Sequence, residues 1–178
     1  MADDATHALR AVAHPVRLQI LSLLTGTELS AAEVARELGI THANASYHLR
    51  VLLDAGELEI ASEEKIRGGV AKRYRHPWRK GLGGKRPRRI SLEDRAVYVR
   101  AMAEELVRRA RLTKVGGARG GLTDAELWVT PEDYAAVEEA LTAASSRLHK
   151  AARPPRTEGT IRVSLTAALF EMEQEDPS

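Results

Sequence analysis

The side chains best placed to do chemistry lie close together, in the run THANASYHLR that begins at Thr41. Ala45, Leu49, Leu52 and Leu53 recur on one side at helical spacing, which leaves His42, Asn44, Ser46, Tyr47 and Arg50 facing elsewhere. Amide, hydroxyl, imidazole and guanidinium groups on the first turns of a helix can reach the donors and acceptors of base edges in a DNA major groove. His48 either donates to a phosphate or buttresses the helix, and the sequence leaves both readings open. An ordinary helical hairpin would show the same spacing, so the surroundings of the run matter.

Charge is one such surrounding. The chain of 178 residues carries a net charge of only +2, but eleven Lys or Arg and no Asp or Glu fall between Lys65 and Arg89. Sixteen basic residues face twenty-five acidic ones in the remainder. A basic stripe next to a polar helix is the electrostatic footprint of a surface that lies along a phosphate backbone. Arg67, Lys72 and Arg73 stand in its first part, and Lys85, Arg86, Arg88 and Arg89 in its second.

Other chemistries find little support. With no cysteine there is no disulfide, thiolate metal site or cysteine nucleophile. The run from Gly116 to Gly121 lacks the Gly-Lys-Ser/Thr ending of a phosphate-binding loop and reads as a linker. His7 and His14 could share a helix face, but a metal site normally needs three or four donors. No Gly-x-Ser-x-Gly, His-Glu-x-x-His or paired carboxylate names a reaction, so neither an enzyme nor a cofactor is expected. No segment approaches 18 apolar residues, and the N-terminus has no signal pattern. The expectation is a cytoplasmic, nucleoid-associated protein with no membrane partner.

The elements that must position the polar face can be read from caps and periodicity. Ser30, with Glu33 three residues on, forms a capping box before Ala31, Val34, Ala35 and Leu38. Gly39 ends that helix, Ile40 supplies the apolar contact behind it, and Thr41 caps the next. Together these make a helix-turn-helix. Upstream, a helix from about Asp3 to Ala13 breaks at His14-Pro15, and a second, rich in Ile and Leu, runs to Leu24. Downstream, Glu57 to Ala61 alternates as a strand does, and Gly68-Gly69 can turn a hairpin whose arms carry Arg67, Lys72 and Arg73.

Helices, polar helix and basic ribbon in this order resemble the winged helix-turn-helix of bacterial ArsR-type transcriptional regulators. The resemblance rests on AVAHPVRLQILSLL, SAAEVARELGITHANASYHLRVLLDAGELE and the wing ending KRYRHP, within residues 5–77. It implies a recognition helix in the major groove and a wing on phosphate. Carried over, Thr41, His42, Asn44, Ser46, Tyr47, His48 and Arg50 become DNA-contact candidates, with Arg67, Lys72 and Arg73 on the wing. Metal-sensing members place a cysteine pair where this chain has Ser30-Ala31-Ala32, so a metal effector is not implied.

The second half reads as a separate unit. Ser91 caps a helix to about Leu112, whose stripe of Leu92, Ala96, Val99, Ala103, Leu106 and Ala110 suits a close contact within a subunit or across a dimer. A short strand from Ala125 to Val129, a helix from Thr130-Pro131 with Tyr134, Val137, Leu141, Ala144 and Leu148 on one seam, and a strand over Ile161 to Leu169 follow. Trp78 is expected against the wing base. Trp128, Tyr134 and Phe170 either line an effector pocket or form this unit's core.

The fold expected is α+β, with a DNA-binding domain at 1–80, a basic linker at 81–90 and a dimerisation or sensing unit at 91–178. The function expected is a homodimeric repressor on a palindromic operator in double-stranded DNA, effector unknown. The alternative is a winged helix that docks a protein partner and has no specific DNA site.

Overall fold

The computed structural model describes residues 2–66, 69–80, 91–114 and 121–173. Helix α1, Ala2–Val12, is followed by α2, Pro15–Leu23, with the break set by His14, whose Nδ1 accepts from the Val16 amide while Pro15 occupies the first helical position. A two-residue strand β1, Leu29–Ser30, leads into α3, Ala31–Leu38. Gly39 then adopts φ 65°, a left-handed step natural to glycine, and α4, His42–Asp54, begins under the Thr41 cap. Strands β2, Glu59–Ile66, and β3, Gly69–Arg75, form an antiparallel ribbon.

The sheet order is β1-β3-β2. Leu29 pairs with Tyr74 and Ser30 with Arg73, so the lead into α3 is hydrogen-bonded to the ribbon. The β2–β3 register closes on Ile66 and Gly69, with an irregularity between Ile60 and Ser62. Gly69 therefore opens β3, and Gly68, the other half of the expected Gly-Gly turn, lies outside the described residues. A 3-10 turn, Trp78–Lys80, follows, and the His76 amide returns to the Leu24 carbonyl at 3.2 Å.

Leu9, Val12, Ile20, Leu24, Val34, Leu49 and Leu52 are fully buried and join in one core. Helix α5, Leu92–Ala110, packs on α1 and α2. Three polar links fasten it: Arg10 donates to Asp94 at 2.6 Å, Gln19 to Glu105 at 3.0 Å, and Arg109 to the Ser22 hydroxyl at 3.2 Å. Glu105 is buried; burial alone would raise its pKa, but hydrogen bonds from Arg108 and Arg109 outweigh it and leave the carboxylate below its usual range.

Helix α6, Pro131–Ala151, forms where its Thr130 cap and Pro131 place it, yet none of its residues is buried. The two flanking strands are not formed: residues 121–130 and 161–173 carry no strand. Trp128 and Ile161 are each 84% exposed, and among the described residues no strand pairs with either stretch. The α+β reading holds for a helical body with a small antiparallel sheet, and the strand-helix-strand arrangement does not. Alternation marks which faces a strand would have, but a strand exists only when a second one pairs with it. Trp128 and Phe170 accordingly form no core within the chain.

Candidate nucleic-acid interface

Helix α4 divides lengthwise. Ala45, His48, Leu49 and Leu52 are buried against the core, while His42, Asn44, Tyr47 and Arg50 are exposed. The Thr41 hydroxyl accepts from the Asn44 amide at 3.2 Å, so Thr41 holds the first turn in place as a cap. Ser46 is half-buried at the margin. Among the described residues, the Asn44 and Arg50 side chains make no hydrogen bond to protein. Asn44 in the first turn and Arg50 in the third therefore stand in solvent, and both side-chain types can make paired contacts with base edges.

His48 lies outside this set. It is 5% exposed, with its ring 4.7 Å from that of His14 and its Nδ1 without a hydrogen-bond partner. Burial first, then the charges of His14 and Arg17, push its pKa down to about 4, which keeps the ring neutral near pH 7. The ring packs beneath the helix rather than on its solvent face. Tyr47 sets the edge of its ring against His48 at 5.1 Å and is itself 56% exposed.

Arg17 is a residue that periodicity does not single out. Its Nε is buried without a partner, its Nη2 donates to the Arg10 carbonyl at 3.3 Å, and it shares the region of His14, His48 and Tyr47. The run His14-Pro15-Val16-Arg17 contained the signal: a cation in the first turn of a helix that is otherwise mostly apolar.

The wing contributes less free charge than its sequence implies. Lys72 is exposed, whereas Arg73 is drawn inward. Its guanidinium donates to the Glu28 carbonyl at 2.7 Å and reaches the Glu33 carboxylate at 3.1 Å, with Glu64 at 3.7 Å. The same Glu33 carboxylate accepts from the Ser30 amide at 2.7 Å and hydroxyl at 2.8 Å, which completes the capping box of α3. Burial would raise the Glu33 pKa, but these bonds and Arg73 hold it below the ordinary value. Arg73 thus ties the ribbon to the helix before the turn. Arg75 is likewise paired, with Glu59 at 2.5 Å and Glu28 at 3.4 Å. Arg67 and the cluster Lys85, Arg86, Arg88 and Arg89 lie outside the described residues.

Residues 12–59, from the end of α1 to the start of β2, match a family model described as a helix-turn-helix domain. The chain contains a helix-turn-helix domain. This domain comprises α2, α3 and α4, with α4 in the second position, and the ribbon follows it. No curated protein matches the chain. Among solved structures, a fragment of residues 1–100 of a possible transcriptional regulatory protein from Mycobacterium bovis is similar, with 21% identity and a TM-score of 0.36. That similarity covers 60% of this chain and 92% of the fragment. No helix among the described residues is long and apolar enough to cross a membrane.

Proposed function

We propose that the protein is a sequence-specific DNA-binding transcriptional regulator, a homodimeric repressor of ArsR-like type acting at a palindromic operator. The observation that carries this reading is the exposed face of α4, where Asn44 and Arg50, with no side-chain hydrogen bond among the described residues, stand with His42 and Tyr47 in the second helix of a helix-turn-helix. A free amide and a free guanidinium on such a helix suit paired contacts to adenine and guanine. Lys72 and the basic residues 79–89 supply salt-dependent attraction to phosphate. Thr41 and Ser46 frame the reading row, with His48 and Arg73 holding the elements that carry it.

Fluorescence anisotropy tests this, with DNA from the protein's own upstream region and shuffled DNA of equal length, over about 50–200 mM salt. Preference of about 10³-fold for the upstream DNA, with affinity falling as salt rises, is expected. Equal weak binding to both would overturn the reading in favour of a winged helix that docks a protein.

A further inference from the structure

Between the turn after α2, the base of the wing and the last turn of α6 lies a cavity of about 310 Å³. Thr25, Thr27, Trp78, Arg79, His149 and Lys150 stand on its walls, and no residue of α4 does.

The walls are fixed by contacts within the chain. Gly26 lies so close to Ala152 that a methyl there would be 3.0 Å from its backbone, which sets the end of α6 against the body. The Thr25 hydroxyl donates to the Leu21 carbonyl at 2.9 Å and stands 3.2 Å from His76 Nδ1. His149 Nδ1 is 2.8 Å from the Ser145 carbonyl; a carbonyl only accepts, so this nitrogen carries the hydrogen and the ring is held in one orientation. That ring lies 5.1 Å from Trp78 at a tilt of 39°. A pocket whose walls are already in place loses little freedom on binding.

Charge says what the cavity takes. Arg75 and Glu28, both on its walls, pair with each other at 3.4 Å, and Arg75 also holds Glu59. Arg79 and Lys150 have no ion pair and no side-chain hydrogen bond among the described residues; the Arg79 guanidinium lies 5.3 Å from the centre of the Trp78 ring. Two uncommitted cations, beside a carboxylate that is already paired, favour an anion. A bare phosphate would use the cations and leave Trp78 and His149 uncovered. A carboxylate on a flat apolar ring uses both, with its charge on Arg79 or Lys150 and its ring on the aromatic pair. The volume sits at the lower end of small-molecule pockets, roughly 300–1,000 Å³, which limits the ligand to about one or two rings.

We propose that this cavity binds a small aromatic carboxylate, and that this ligand is the regulator's effector. The binding stands independently of the DNA reading, and the effector role rests on it. The way from the cavity to the reading elements is short. Arg75 ends β3, the strand whose Arg73 pairs with Ser30 at the start of α3, and the Glu28 carbonyl accepts from Arg73. Glu28 and Arg75 therefore join the cavity to the contact that sets the ribbon against α3.

Isothermal titration calorimetry of the intact protein tests the site without DNA, using benzoate, 1-naphthoate, the neutral 1-naphthamide and inorganic phosphate. At least one acid is expected to bind one-to-one with a Kd below about 1 mM, and the amide and phosphate about tenfold or more weaker. Arg79→Gln with Lys150→Gln should weaken the acid about tenfold, while amides in α2 to α4 keep their protection from hydrogen exchange. No binding of either acid at about 5 mM, equal binding of acid, amide and phosphate, or an unaltered Kd in the double variant would overturn the proposal. Anisotropy on the upstream DNA reads the effector role separately: the acid is expected to shift affinity about threefold or more in the parent and less in Lys150→Gln. An unchanged affinity on DNA that is preferred over shuffled DNA would overturn the effector role. Absence of any such preference, with or without the acid, would overturn the DNA reading and leave the calorimetric result standing.

Discussion

Residues that share a charge in this chain do not share a task. Arg50 makes no hydrogen bond or ion pair among the described residues, whereas Arg73 is bonded to Glu33, Glu28 and Glu64, so their removal should be felt in different measurements. Replacing Arg50 or Asn44 by alanine is expected to reduce discrimination between operator and shuffled DNA by about 1–3 kcal/mol, read from paired anisotropy titrations. Lys72→Ala should weaken both DNAs alike and lower the salt slope by about one. Arg73→Ala should instead lower stability by about 1–3 kcal/mol in urea melts, because it leaves Glu33 half-buried without its cation. Two histidines give a pH signature. Burial holds His48 and His76 down to about 4, below the ordinary 6.5. Near neutral pH both states are uncharged; below about 6.5 the unfolded chain takes up protons that the folded one refuses. Stability should therefore fall as pH drops from about 6.5 towards 4, by up to about 1.4 kcal/mol per pH unit for each imidazole. Melts of the parent and of His48→Phe at pH 7 and pH 5 check this, with the variant expected to show the shallower loss.

Elements were legible in the sequence to the extent that their determinants are local. Ser30, Thr41, Ser91 and Thr130 each cap the helix that follows them, because a cap and the amide it satisfies lie within three residues. The direction of His48 was not legible, because it depends on His14 and Arg17, which arrive from another helix. The pairing of Arg73 was hidden for the same reason: Glu33, its main partner, lies 40 residues away. The strands at 125–129 and 161–169 failed on a different count, since alternation cannot supply a pairing partner. Helix contacts allow one further expectation. A methyl on Gly26 would meet the Ala152 backbone and the Arg153 amide nitrogen at 3.0 Å, so the end of α6 sits against the turn after α2 with no room to spare. Gly26→Ala should push the two apart and loosen the contact of Trp78 with His149, now 5.1 Å between ring centroids, which tryptophan fluorescence would register.

At the scale of the whole molecule, one carboxylate governs how the parts are set. Glu33 caps α3 through Ser30 and grips β3 through Arg73, while Ser30 itself pairs with Arg73 in the sheet. The ribbon and the helix before the turn are thereby joined both through side chains and through the sheet. A reader built this way has its tolerance set in advance. On the proposed DNA reading, with α4 on the bases and the ribbon on the backbone, a mismatch of groove width between the two falls to the duplex to absorb. Base steps that no side chain touches would then be selected for how easily they deform, and stiff or pliable flanks would rank otherwise identical sites.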